Sequence, residues 1–133
     1  PLLKSGNNID EYHKEIGKFV EKELIFLKLL SKEEIEAQEE KKPLYKKYFM
    51  HGVAHHLGLD VHDPGAYRIN NQSRKLEAGM ILTVEPGIYI KEESMGVRIE
   101  NNIWITKTGN QDLFKNVPIK AEEIEALMKR NKK

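Results

Sequence analysis

Apolar positions recur at helical spacing in the first part of the chain. The stripe that begins at Ile9 has charged residues on its opposite face, which predicts an amphipathic helix with Asn8 as its N-cap. A capping box at Ser31-Lys32-Glu33-Glu34 predicts a short second helix that runs into a charged stretch before Pro43. The predicted apolar stripe of the first helix consists of Ile9, Tyr12, Ile16, Phe19, Val20, Leu24 and Leu27.

The centre of the chain alternates at the spacing of β-strands. Residues 80–90 have an apolar residue at every even position, and residues 97–106 alternate likewise except at Asn101. The two segments predict a pair of strands that is joined by the loop of residues 91–96. One face of the first strand is expected to meet the core, and the other face carries Thr83, Glu85, Gly87 and Tyr89.

Residues 118–128 predict a terminal helix with a frayed lysine-rich end, so the predicted fold class is α+β. A length of 133 residues allows one modest domain, and 39% hydrophobic against 32% charged residues is a normal globular balance. The inward side chains of the terminal helix are expected to be Ile124, Leu127 and Met128.

Composition excludes several classes of function. The 22 basic and 21 acidic residues leave a net charge of +1, so neither nucleic acid nor an anionic membrane surface is an expected partner. No apolar run approaches the roughly 18 residues that a membrane span needs. The chain has no cysteine, which excludes disulfides and restricts any metal site to nitrogen and oxygen ligands.

Glu85 and Glu100 are two carboxylates with unusual neighbours. If Ile90 lies opposite Val97, the two glutamates share one face as diagonal neighbours about 7 to 8 Å apart at Cα, close enough to share a cation. They could instead be ordinary solvent-facing strand residues. A proline follows Glu85 and cannot donate to a strand ladder, and Arg98 lies on the same face as Glu100, where it can orient a carboxylate. These features favour a functional site.

Four of the five histidines lie within residues 49–63, and imidazole with carboxylate is the ligand set of a divalent-metal hydrolase. His51 and His55 have the spacing of a zinc-protease helix, but Gly52 stands where that motif needs its glutamate, which excludes the motif. Three glycines in and after this segment leave its conformation open. The fifth histidine, His13, is expected to lie outside the site.

A series of short motifs runs from residue 49 to residue 101. In chain order they are Phe49-Met50-His51-Gly52, His55, Gly58-Leu59-Asp60-Val61-His62-Asp63, Leu76-Glu77-Ala78-Gly79-Met80, Thr83-Val84-Glu85-Pro86-Gly87-Ile88-Tyr89 and Val97-Arg98-Ile99-Glu100-Asn101.

Together these motifs resemble the C-terminal half of an Xaa-Pro aminopeptidase, or aminopeptidase P, of the pita-bread metallopeptidase family. The resemblance implies that residues 1–133 form the C-terminal half of such a catalytic domain, with helices packed on a curved antiparallel sheet. The motif Leu59-Asp60-Val61-His62-Asp63 and the sequence of residues 104–112 favour this branch over methionine aminopeptidases and prolidases. Prolidase remains the first alternative.

The resemblance also implies a dinuclear metal site, usually with Mn²⁺, in a hydrolase. The absence of cysteine fits a cytoplasmic location. His55, Glu85 and Glu100 match the metal ligands of this half, with Glu100 in the bridging role. Glu85 would also shuttle a proton while a metal-activated water attacks the carbonyl before proline.

The remaining matched residues lie on the substrate side of the site. His51 and His62 match histidines that orient the scissile bond and stabilise developing charge, and Arg98 matches an arginine behind the ligands. The implied substrates are peptides with proline in the second position.

One departure from the family pattern concerns the other ligands, which are two aspartates on a hairpin of the preceding half. The one aspartate before His51 is Asp10, at a predicted helix start. We therefore expect a longer gene product, with weak metal binding and no activity in this chain alone. The expected partners are the missing N-terminal half or a second copy in a homodimer. A non-catalytic pita-bread binding module is the second alternative.

Overall fold

Helix α1, Ile9–Phe26, begins where the side chain of Asn8 accepts a hydrogen bond from the Glu11 N–H at 2.9 Å, which confirms the predicted N-cap. The computed structural model describes residues 2–130. Within this range, none of the helices combines the length and the apolar character that crossing a bilayer requires. The predicted apolar stripe is wrong at Phe19 and Leu27, which are 58% and 53% exposed. Ile9, Tyr12, Val20 and Leu24 of the stripe are buried in the core, and Ile16 is partly buried against it.

Helix α2, Lys32–Ala37, has the predicted capping box. The Ser31 hydroxyl accepts from the Glu34 N–H at 3.1 Å, and the Glu34 carboxylate accepts from the Ser31 N–H at 2.7 Å. The helix ends at Gln38, whose side-chain oxygen accepts from the Leu44 N–H at 2.8 Å. A single 3₁₀ turn, Leu44–Lys47, follows. The charged stretch between them is therefore a loop.

In the described residues, seven short strands follow, and all of their pairings are antiparallel. The central three-stranded sheet has the order β3-β6-β7, β4 pairs with β5, and β1 pairs with β2 in a small hairpin. The strands are β1 Arg68–Ile69, β2 Gln72–Ser73, β3 Ile81–Val84, β4 Gly87–Ile90, β5 Met95–Arg98, β6 Asn101–Ile105 and β7 Asn110–Asp112.

The register of the central strands differs from the prediction by two residues. Ile90 lies opposite Met95 rather than Val97, because a tight 3₁₀ turn at Lys91–Glu93 replaces the longer loop. A shift of two preserves the faces, since side chains alternate with a period of two. Glu85 and Glu100 therefore become the next positions beyond the last pair of β3 and β6, instead of diagonal neighbours.

Both long predicted strands are interrupted at the carboxylates. The first strand stops after β3 and resumes at β4, which leaves residues 85–86 outside the ladder. The second stops after β5 and resumes at β6, which leaves residues 99–100 outside. Pro86 has no N–H to donate, and this accounts for the interruption on its strand. We name this gap, residues 85–86 and 99–100, the ladder opening.

The core lies between α1 and the central sheet, where Leu24, Leu82 and Ile105 are fully buried. Helix α3, Ala121–Arg130, contributes none of the buried core residues within residues 2–130. Its Ile124, Leu127 and Met128 are at least 40% exposed, so their predicted inward orientation is wrong. The predicted frayed lysine end falls largely on residues 131–133, outside the described range.

Replacing Leu82 by alanine should lower the free energy of unfolding by about 2–5 kcal/mol, because the change leaves a cavity beside a fully buried position. Urea denaturation followed by circular dichroism measures this loss. The control is Leu59→Ala at a fully exposed position, where we expect a change within about 0.5 kcal/mol. Equal losses in the two variants would show that β3 does not lie in the core.

Candidate metal centre

Within the histidine segment, residues 49–63, the part from 53 to 57 runs beside β3. The Thr83 N–H donates to the His55 carbonyl at 2.9 Å, and the Glu85 N–H donates to the Val53 carbonyl at 2.8 Å. The Leu57 N–H donates to the Ile81 carbonyl at 3.1 Å. Residues 53–57 are therefore antiparallel to β3, on the edge opposite β6. This pairing fixes a conformation that the glycine pattern left open.

Thr83 is the polar residue that sets the position of His55. Its side chain is 1% exposed, and its hydroxyl accepts from the His55 N–H at 3.0 Å. The Thr83 N–H donates in turn to the His55 carbonyl, so both backbone groups of His55 are bound by one residue. Thr83 was predicted only as a member of the polar strand face. Its position two residues before the candidate ligand Glu85, on the same strand face, is the sequence feature that could have indicated this role.

Glu85 lies between His55 and Arg98. Its Oε1 is 3.4 Å from Nε2 of His55, and its Oε2 is 3.6 Å from the Arg98 guanidinium. The Glu85 side chain is 14% exposed and that of Arg98 is 50% exposed. Arg98 reaches Glu85 because the register places it opposite Gly87. The carboxylate that Arg98 contacts is therefore Glu85.

The hydrogen bonds of His55 indicate which of its ring nitrogens is free. Nδ1 lies 2.9 Å from the His56 carbonyl, which can only accept, so Nδ1 carries the hydrogen. In the neutral ring, Nε2 then faces Glu85 with a lone pair. Two acceptors at 3.4 Å need a proton or a cation between them. Metal–ligand distances of about 2.0–2.2 Å place two ligands of one ion about 3 Å apart, so this pair fits a divalent cation.

His51 is held by Tyr89, on the next strand. Its Nδ1 lies 2.6 Å from the Gly52 carbonyl, and its Nε2 accepts from the Tyr89 hydroxyl at 3.0 Å. Phe49 packs edge-on against the same ring, with centroids 4.8 Å apart. Tyr89 covers Gly96, its partner in the ladder, where a Cβ would lie 2.6 Å from the tyrosine ring. The predicted site omitted this tyrosine, although it lies on the same strand face as Glu85.

His62 meets His55 ring to ring. The two centroids are 4.5 Å apart and the planes are inclined by 74°. His62 is exposed, on a loop whose neighbouring Leu59 and Val61 are also exposed. The neighbouring His56 faces the other way against Tyr67, and burial lowers its pKa below the usual histidine value.

Glu100 is exposed in the ladder opening, at the register position opposite Glu85. In the part of the chain that the structure describes, no three side chains of His, Cys, Asp or Glu are grouped so that they could hold a metal ion. The structure therefore brings together His55 and Glu85, with Arg98 and His62 beside them. The role of Glu100 as a ligand stays a prediction.

A nitrogen and an oxygen donor that converge beside an arginine are features of a metallohydrolase half-site. The chain belongs to metallopeptidase family M24, whose model matches residues 2–107. It is 44% identical over 96% of its length to Xaa-Pro aminopeptidase of Escherichia coli and 42% identical over 96% to that of Haemophilus influenzae. The chain spans 30% and 31% of the length of these two relatives.

Solved structures agree with the sequence relatives. Aminopeptidase PepP of Pseudomonas aeruginosa superimposes with a TM-score of 0.82 at 38% identity, over 97% of this chain and 31% of that one. Zinc-substituted Escherichia coli aminopeptidase P in complex with product gives 0.79 at 42% identity, over 99% and 31%. The expected resemblance to Xaa-Pro aminopeptidases and the expected α+β fold of the pita-bread type are confirmed.

Tyr89→Phe should release Nε2 of His51, because that nitrogen accepts its hydrogen bond from the tyrosine hydroxyl. We expect faster carbethoxylation of His51 by diethyl pyrocarbonate, measured by peptide mass mapping, and a stability loss of about 1 kcal/mol. Tyr45→Phe is the control, since Tyr45 packs against Phe49 rather than against His51. Unchanged reactivity of His51 in Tyr89→Phe would show that the contact does not protect the ring.

Proposed function

We propose that the protein hydrolyses the N-terminal Xaa-Pro bond of peptides in a metal-dependent reaction, and that this chain is the C-terminal half of the catalytic domain. The observation that carries the proposal is the convergence of His55, Glu85 and Arg98 in an M24 chain. The named relatives favour an Xaa-Pro aminopeptidase over a prolidase. A non-catalytic binding module is less well supported, because a paired nitrogen and oxygen donor remains in place.

The proposed cofactors are two divalent cations, with Mn²⁺ as the preferred ion. His55 and Glu85 would hold one of them, and Glu100 would join them when the rest of the domain contacts the ladder opening. A bound divalent cation polarises a peptide carbonyl and makes a water molecule more acidic. Cytoplasmic location stays a prediction.

Glu85 and Arg98 would act together in proton transfer. One carboxylate oxygen of Glu85 faces His55 and the other faces the guanidinium, so the carboxylate is held at both ends. A carboxylate fixed in this way can take a proton from an attacking water and return it to the departing proline nitrogen. Arg98 would orient Glu85 without contacting the peptide.

His51 and His62 would contact the substrate, which we propose to be a peptide with proline in the second position. His62 is exposed beside His55, so it can donate a hydrogen bond to a carbonyl oxygen on which charge develops. His51 is held by Tyr89, and this orients its ring without a metal contact. Tyr89 would therefore share in positioning the scissile bond.

The proposed partner is the complementary half of the same protein or, in its absence, a second copy of this chain. Phe19, Val97 and Ile99 are exposed and line an apolar groove of about 320 Å³ between α1 and the strands. Trp104, on β6, is a further exposed apolar side chain, at 40%. Exposed apolar surface of this kind is typical of an interface.

Calorimetric titration with Mn²⁺ tests the proposed ligands in this chain. We expect weak binding, because three ligands or fewer leave the cation incompletely neutralised. His55→Ala and Glu85→Gln each remove a proposed ligand and should abolish it. Glu93→Gln, at an exposed carboxylate on the β4–β5 turn, is the matched control and should bind as the unmodified chain does. We also expect no turnover of Xaa-Pro peptides by this chain alone.

Two results would contradict the assignment. Unchanged Mn²⁺ affinity in Glu85→Gln would remove Glu85 from the ligands, and binding of two ions at low micromolar affinity would contradict the half-site.

In a longer form that contains both halves, Glu85→Gln should abolish chelator-sensitive peptidase activity, and His62→Ala should reduce it with the metals retained. Equal metal loss in the two variants would show that the roles are wrong.

Self-association should appear as a rise in mean mass with concentration in sedimentation equilibrium, because the apolar groove and Trp104 are exposed. A two-fold dimer is the simplest closed arrangement. Val97→Asp places a charge in the groove and should weaken the association, whereas Leu59→Asp, on the histidine loop, is the control. A chain that stays strictly monomeric at high concentration contradicts this prediction.

A further inference from the structure

The carbonyl of His56 accepts from the His55 ring and from the backbone N–H that follows His62. It lies 2.9 Å from Nδ1 of His55 and accepts from the backbone N–H of Asp63 at 3.2 Å. Asp63 directly follows His62, so one carbonyl binds the His55 ring and the backbone beside His62. Its direction therefore decides how the His55 imidazole is presented.

His56 has its backbone groups on the outer edge of the histidine segment. Residues 55 and 57 bond to β3, and because alternate residues of an extended chain point to opposite edges, the N–H and carbonyl of His56 point away from β3. Strand edges leave such groups without partners from the sheet. The position of His56 therefore depends on what binds this edge.

Tyr67 binds the edge in two ways. Its hydroxyl accepts from the His56 N–H at 2.9 Å, and its ring stacks on the His56 ring with centroids 4.8 Å apart and planes inclined by 26°. Gly65 makes room for the stack, because a Cβ there would overlap the His56 ring. Tyr67 is itself fixed by its carbonyl, which accepts from the Arg74 N–H at 2.8 Å.

We propose that Tyr67 is a positioning residue for the metal centre, which fixes His56 so that its carbonyl holds Nδ1–H of His55 and leaves Nε2 free toward Glu85. This inference rests on the proposed function, since it assigns Nε2 of His55 to a cation. Without the hydroxyl, the His56 N–H loses its partner and the backbone at His56 gains freedom. The Nδ1 contact then weakens, and the tautomer with hydrogen on Nε2 becomes accessible.

Tyr67→Phe tests the inference, because it removes the hydroxyl and keeps the ring. Long-range proton–nitrogen NMR of the metal-free chain at pH 8 reads the tautomer of each imidazole, and calorimetry reads Mn²⁺ affinity. We expect His55 to change from one tautomer to a mixture and the affinity to fall about tenfold. The matched control is Tyr48→Phe, which loses a hydroxyl that donates to the Leu29 carbonyl at 3.1 Å, away from the site.

Retention of the single His55 tautomer in Tyr67→Phe overturns the inference, whatever the metal affinity. A tautomer mixture in a chain that binds no Mn²⁺ even unmodified supports the role of Tyr67 and contradicts the proposed function instead. A mixture of His55 tautomers in Tyr48→Phe as well would show that loss of any such hydroxyl loosens the structure, and this result would also overturn the inference. If Tyr67→Phe does not fold, Gly65→Ala displaces the His56 ring with the hydroxyl intact, and the same tautomer change is expected.

Discussion

The structure depends on the hydrogen bonding of β3 along both of its edges. One edge pairs with β6, and the other receives the histidine segment at residues 53–57. The same strand buries Leu82 in the core and Thr83 against His55. A shift of β3 by one residue would exchange these two side chains. One register of β3 therefore positions both the core residue Leu82 and the candidate metal centre.

Local features of the fold could be predicted from sequence because their partners lie within a few residues. Asn8 and Ser31 bind backbone groups three positions away, and the predicted caps are confirmed. The alternation of residues 80–90 predicted a core face and a site face, and Leu82 and Glu85 lie accordingly. Such predictions need only the geometry of a single helix or strand.

Features that depend on distant partners could not be predicted in the same way. The register of β4 and β5 is set by a turn in which Ser94 adopts a left-handed φ of 51°, and a serine gives little sign of that conformation. The extended form of the histidine segment requires β3 beside it, about 28 residues later in the chain. The hydroxyls of Thr83, Tyr67 and Tyr89 bind His55, His56 and His51 across 28, 11 and 38 residues, so residue type alone did not distinguish them from core residues.

The ladder opening explains why one carboxylate is held and the other is exposed. The Glu85 N–H donates to the Val53 carbonyl, and Pro86 has no N–H, so this side of the opening keeps its shape without a partner from β5 or β6. On the other side, residues 99–100 are exposed, with Asn101 anchored beyond them by its side-chain bond to Asp112 at 2.7 Å. Glu85 can therefore meet His55 and Arg98 within this chain. Glu100, at the register position opposite Glu85, is exposed between β5 and β6.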